Sequence, residues 1–127
     1  MKSYNILIIE DEILAGMSLR IEFETLGQSV AGIVKDEAQA VAICKSQKVD
    51  VVVLDVNLGT DVSGIEIGSI LRQKFGIPLL FMTGYELDII AQDIAIVEHI
   101  GVIKKPAFAR ELLGVINQYF ELKIDVK

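Results

Sequence analysis

Four stretches of this chain set polar side chains directly after apolar, β-branched runs. Glu10-Asp11-Glu12 follows Asn5–Ile9, and Asp55 and Asn57 follow Val49–Leu54. Thr83-Gly84 follows Ile77–Met82, and Lys104-Lys105 closes Ile100–Lys104. Carboxylates gathered at close range repel one another and stay ionised only with a cation among them. The candidate ligands here are all oxygens, with no His or Cys beside them, which selects a hard cation; Mg²⁺, keeping several waters, suits such a set. A lysine and a hydroxyl opposite are what a phosphoryl group requires, the first neutralising charge on its oxygens and the second donating a hydrogen bond. Asp55, between them, is placed to act as a nucleophile toward phosphorus.

Each stretch alone has a plainer reading. An Asp after a buried strand is commonly a turn former or helix cap, and Glu10–Glu12 would favour the positive end of the helix that follows. Thr83-Gly84 is ordinary turn chemistry, and Lys105 could be a solvated lysine ahead of Pro106. Their joint occurrence is what the plainer readings do not explain.

The elements that must position these groups follow from hydrophobic pattern. Runs apolar at nearly every position, such as Val49–Leu54 and Ile77–Met82, suit strands buried on both faces of a parallel sheet. The fifth run, Ile100–Lys104, and the second, Ser29–Val34, complete a set of five. Helical spacing appears between them at Glu12–Leu26, Asp36–Gln47, Val62–Phe75, Glu86–Val97 and Ala107–Leu122. The first helix carries two adjacent stripes, Leu14, Met17 and Ile21 beside Leu19, Phe23 and Leu26, and Gly27 stops it. Gly76 and Pro78 separate the third helix from the fourth strand, and Pro106 suits the start of the last helix. The pattern is an α/β chain, (βα)₅, with right-handed crossovers and a doubly wound five-stranded parallel sheet. Periodicity leaves the spatial strand order open. In such sheets ligands bind beyond the carboxyl ends of the strands, where all four polar stretches fall.

Length and composition narrow the rest. The 127 residues amount to one domain, and 52% hydrophobic content excludes a disordered chain. A formal net charge of −6, with no basic stripe, argues against a nucleic-acid partner. Cys44 is the only cysteine, which rules out an intrachain disulfide and fits a cytoplasmic setting; amid Val41, Ala42 and Ile43 it reads as a small buried side chain. The N-terminus does not read as a signal peptide, and no segment approaches the roughly 18 apolar residues of a membrane span. The single His99 is expected to face solvent.

The segments Ile8-Ile9-Glu10-Asp11-Glu12, Val53-Leu54-Asp55-Val56-Asn57-Leu58, Phe81-Met82-Thr83-Gly84 and Gly101-Val102-Ile103-Lys104-Lys105-Pro106 resemble, in order and spacing, the CheY-like receiver domains of two-component response regulators. The resemblance covers essentially the whole chain. It implies a flavodoxin-like fold with strand order 2-1-3-4-5 and a single receiver domain over residues 1–127. It assigns Glu10 and Asp11 to an acid pair holding Mg²⁺, Asp55 to the phosphoacceptor, and Asn57 to a backbone carbonyl that completes the metal site. Thr83 would be the switch hydroxyl and Lys105 the lysine that pairs with the phosphoryl group. The Lys105–Pro106 bond would be cis, a form open to proline at modest cost. The implied function is to accept a phosphoryl group from a sensor histidine kinase or histidine phosphotransfer protein and to signal by altered binding of a downstream protein. A second copy of the chain is a further candidate partner. No enzymatic activity is implied beyond the domain's own phosphorylation and dephosphorylation.

The chain departs from the family pattern at several positions. Glu10 stands where Asp is commonest, Gly59 replaces a frequent Pro, and Lys104 adds a second lysine, expected to be solvated. Val102 occupies the place of the usual aromatic switch, while Tyr85 completes a Phe-x-Thr-Gly-Tyr motif resembling a stand-alone subgroup. Tyr85 is therefore expected to report the phosphorylation state in place of residue 102. Residues Glu121–Lys127 are too few for an output region, so action through partners is expected, with the apolar-rich helix Glu86–Val97 as a candidate docking face and plain core packing as its alternative. A haloacid-dehalogenase-type phosphatase would need an acid where Asn57 stands, and a nucleotide-binding domain a Gly-rich loop where Glu10-Asp11-Glu12 stands. A pseudo-receiver acting only as an interaction module is the remaining alternative.

Overall fold

A strand with no polar face must be covered on both sides, and that requirement builds this molecule. A computed structural model describes residues 2–57 and 63–125, with the side chains of 89, 90 and 123–125 left aside. Five strands, β1 Asn5–Ile9, β2 Ser29–Val34, β3 Val51–Asp55, β4 Leu79–Thr83 and β5 Gly101–Lys104, alternate with five helices. The helices are α1 Ile13–Thr25, α2 Glu37–Ser46, α3 Gly64–Phe75, α4 Leu87–Ala95 and α5 Ala109–Asp125. The strands form one parallel sheet in the order β2-β1-β3-β4-β5, the flavodoxin-like arrangement that the resemblance implied. Every residue of β3 and β4 is buried. Alternate side chains feed two separate cores, one around Leu7, Leu54 and Phe81 and the other around Ile8, Val53 and Leu112.

Chain direction reverses its lateral progress between β1 and β3, so their carboxyl ends have no crossover covering them. Register brings Ile9 beside Leu54, Asp55 beside Met82 and Thr83 beside Lys104, which aligns the polar residues along one edge. Ser63 caps α3 through the Glu66 N–H, and Gly76 ends that helix with φ 67°. Gly27, φ 82°, follows α1 in the same left-handed conformation.

Several boundaries differ from the expected ones. β3 and β4 each start two residues later than Val49 and Ile77 and run on to include Asp55 and Thr83. Asp50 is engaged with Asn5 through its backbone N–H and its carboxylate, and Pro78 has no N–H for a ladder. The last helix begins at Ala109 rather than Ala107, after a turn containing the cis Lys105–Pro106 bond. Leu58, Gly59 and Val62 lie outside the described residues.

Of the two stripes on α1, the sheet covers one. Leu19 and Phe23 are buried and Leu26 packs against them, while Leu14, Met17 and Ile21 face outward. On α4 and the turn after it, Ile94 and Val97 are buried but Leu87 and Ile96 are exposed. Cys44 is half-buried against the first core, and burial raises its thiol pKa, away from reactivity. His99 departs from the solvent-facing expectation: the turn after α4 folds back on β4, so its ring meets Phe81 edge-on at 5.7 Å, with Nδ1 2.8 Å from the Val97 carbonyl.

Candidate functional site

β1 delivers Glu10 to the sheet edge with its backbone N–H bound to Val34 O. The residue is 3% exposed, whereas Asp11, one residue on, is open to solvent. β3 delivers Asp55, also buried. Carboxylate oxygens of Glu10, Asp11 and Asp55 lie within 4.8 Å of one another. Lys105 bridges two of them, its Nζ donating to Glu10 Oε1 at 3.0 Å and to Asp55 Oδ2 at 2.5 Å. The other oxygen of Asp55, Oδ1, accepts the Asn57 N–H at 3.0 Å.

The backbone fixes this arrangement from three directions. Val56 N–H donates to Met82 O, Lys105 N–H donates to Thr83 O, and Gly64 N–H donates to Val56 O at 2.8 Å. Gly64 is a residue the pattern reading passed over. A Cβ there would stand 1.8 Å from the Asp55 carbonyl oxygen, so only glycine lets α3 start against the backbone of Asp55. The sole hint in the sequence is a glycine just after a capping serine.

Thr83 is fully buried at the end of β4, and its Oγ1 accepts the Tyr85 N–H at 3.0 Å. Tyr85 in turn accepts a hydrogen bond at its hydroxyl from Asn57 Nδ2, 3.0 Å away. The Asn57 side chain thus turns toward Tyr85, and it is its backbone N–H that meets Asp55. Lys104 is exposed, as expected, and pairs across the surface with Glu86 at the start of α4. Val102 leaves an apolar cleft of about 270 Å³ between β5 and α4, lined by Leu87, Ala91, Ile94, Ala95 and His99.

Charge at the site follows from these contacts. Burial raises the Glu10 carboxyl above its ordinary 4.5 despite the lowering hydrogen bond from Lys105, and the Asp55 charge pushes the same way. Burial alone would lower the Lys105 pKa, but its hydrogen bonds to Asp55 and Glu10 outweigh that and raise it, keeping the ammonium charged. Three carboxylates against one ammonium leave two negative charges, the deficit that one divalent cation fills. The donor set is oxygen only, so the residues present fit Mg²⁺. A second cleft, of about 550 Å³, runs from Glu10 and Lys105 along α1, past Glu12, Ser18 and Glu22 to Phe108.

Residues 6–117 match the response regulator receiver domain, and the chain belongs to that family. Its members are signalling domains of two-component systems rather than classical enzymes. The chain is 36% identical over 81 residues to the phyllosphere-induced regulator PhyR of Methylorubrum extorquens, a stretch covering 63% of this chain and 30% of that protein. It is 32% identical over 117 residues to the regulatory protein VirG of Agrobacterium fabrum, 89% of this chain and 44% of that one. The chain therefore spans less than half the length of these relatives. The solution structure of the Erythrobacter litoralis PhyR response regulator REC domain is similar with a TM-score of 0.77 at 30% identity, covering 93% of this chain and 90% of that one. Among the described residues no helix is long and apolar enough to cross a membrane.

Proposed function

We propose that residues 1–127 act as one cytoplasmic receiver domain that takes a phosphoryl group onto Asp55 from a histidine kinase or histidine phosphotransfer protein. The observation that carries this reading is the contact of Lys105 Nζ with Asp55 Oδ2, beside the carboxylates of Glu10 and Asp11. Asn57 N–H orients the acceptor carboxylate, one of whose oxygens bonds to phosphorus while the donor's nitrogen leaves with the bonding electrons. Lys105 neutralises charge on the transferred oxygens. Thr83 Oγ1, which accepts from Tyr85 N–H, keeps its own O–H to donate to a phosphoryl oxygen. Glu10, Asp11 and Asp55, with the carbonyl of Asn57, would hold Mg²⁺, which supplies further charge neutralisation for the transfer. The domain catalyses its own phosphorylation and dephosphorylation and signals by altered binding of a downstream protein.

Readout runs through Tyr85. The hydroxyl that would turn to a phosphoryl oxygen is the one holding the Tyr85 backbone, and the Tyr85 ring is tied to Asn57, two residues from the acceptor. Amide chemical shifts of residues 83–86 that stay the same in free and beryllofluoride-treated protein would remove Tyr85 from this role.

The central test is intact-protein mass after incubation with a small phosphodonor and Mg²⁺. A phosphoryl mass gain absent from Asp55→Asn is expected. A gain that survives Asp55→Asn misplaces the acceptor, and no gain from any donor leaves a non-phosphorylated interaction module instead.

A further inference from the structure

The first turn of a helix leaves backbone N–H groups without partners, and a Ser, Thr, Asp or Asn just ahead of it normally supplies one. At α5 the residue in that place is Phe108, whose carbonyl accepts the Leu112 N–H and whose ring carries no acceptor. The missing cap arrives from another helix. Glu22, in the last turn of α1 and 87 residues away, accepts the Ala109 N–H on Oε1 at 2.8 Å. Ala109 is fully buried, so solvent is poorly placed to substitute.

Four residues before Ala109 stands Lys105. Its own N–H is bound to Thr83 O, so the hydrogen bonds hold the turn Lys105–Ala109 at its two ends, one on the sheet and one on Glu22. Within the turn Pro106 has no N–H to add a further bond. Glu22 and Lys105 also line the same 550 Å³ cleft, on the α1 wall and the turn wall respectively. Lys105 Nζ makes its 2.5 Å and 3.0 Å contacts from this turn, so the place of the turn sets the span its side chain must cover to Asp55 and Glu10.

We infer that Glu22 is a positioning residue for Lys105, fixing through the first turn of α5 the place from which the ammonium reaches Asp55. The inference rests on the phosphoacceptor reading for its rate readout, and a second readout is independent of it. The rate of phosphoryl mass gain with acetyl phosphate and Mg²⁺ is expected to fall about tenfold in Glu22→Ala, as displacements of under an ångström at a reacting centre do. Glu22→Gln keeps a carbonyl acceptor and is expected to stay within about twofold of the parent. In a Lys105→Ala background, Glu22→Ala should change the rate no further. In metal-free protein, the Lys105 side-chain NMR signals should shift in Glu22→Ala and not in Glu22→Gln, whether or not Asp55 is ever phosphorylated. Unmoved Lys105 signals in folded Glu22→Ala overturn the inference, and so does a loss of rate repeated in full without Lys105. Shifted signals in a parent protein that gains no phosphoryl mass would sustain the positioning role while refuting the acceptor.

Discussion

Gly64→Ala sets two principles against each other. Alanine is the better helix former by about 1 kcal/mol, so propensity alone favours the variant. The packing forbids it: the new Cβ would lie 1.8 Å from the Asp55 carbonyl oxygen, 2.8 Å from its carbonyl carbon and 3.2 Å from Val56 Cα. Non-bonded heavy atoms settle at about 3.5 Å, so the backbones of β3 and α3 must part by roughly 1.7 Å, and no rotamer change can absorb that. Overpacking of this kind costs about 1–3 kcal/mol, and a backbone-on-backbone clash belongs at the upper end. A net loss of about 2 kcal/mol would lower Tm by roughly 6–10 °C in a chain of this size. Gly84→Ala is the matched control, because a Cβ there meets nothing within 4 Å and its effect should stay within about 0.5 kcal/mol. Thermal and urea unfolding of the two variants decide the matter. A Gly64→Ala protein as stable as the parent, or more so, refutes the reasoning.

Three further outcomes are expected. Lys105→Ala should slow phosphorylation at saturating donor on the order of a hundredfold, measured by intact mass, as loss of one charge-stabilising donor does. Glu10→Gln should gain in stability relative to the parent as pH rises. The raised Glu10 pKa makes a stabilising contribution that is full below 4.5 and lost as pH climbs through the folded value, whereas Gln has no such loss. Metal-free melting between about pH 4 and 7 checks the sign, and a constant difference across that range counts against it. Tyr85→Phe removes one acceptor of the Asn57 side chain at an exposed position, so stability should change by under about 0.5 kcal/mol. The same variant should shrink the amide-shift response of residues 83–86 to beryllofluoride, and an undiminished response would dissociate the Asn57 tether from readout.

The parallel sheet was legible because Val51–Leu54 and Leu79–Met82 have no polar side to turn outward, which only a two-faced cover satisfies. The meeting of Glu10, Asp11, Asp55 and Lys105 was legible because each follows its strand at the end where such sheets bind ligands. Strand order came from the resemblance to receivers, since hydrophobic period carries no lateral information. Other features depend on contacts between distant segments and leave little or no local trace. Gly64 against Asp55, Glu22 under Ala109 and His99 against Phe81 are of this kind. The two stripes of α1 are equally apolar, and which one the sheet covers is decided by the sheet.

The bridge made by Lys105 spans nearly the whole chain, joining residue 105 to residues 10 and 55. Synthesis runs from the N-terminus, so the acids exist well before their ammonium does. Lys105 stands just after the edge strand β5, so its ammonium reaches the carboxylates of Glu10 and Asp55 only once β5 has docked beside β4. On the reading proposed for Asp55, competence to be phosphorylated then depends on the docking of β5. A copy in which β5 has not docked would be phosphorylated about a hundredfold more slowly, as Lys105→Ala is.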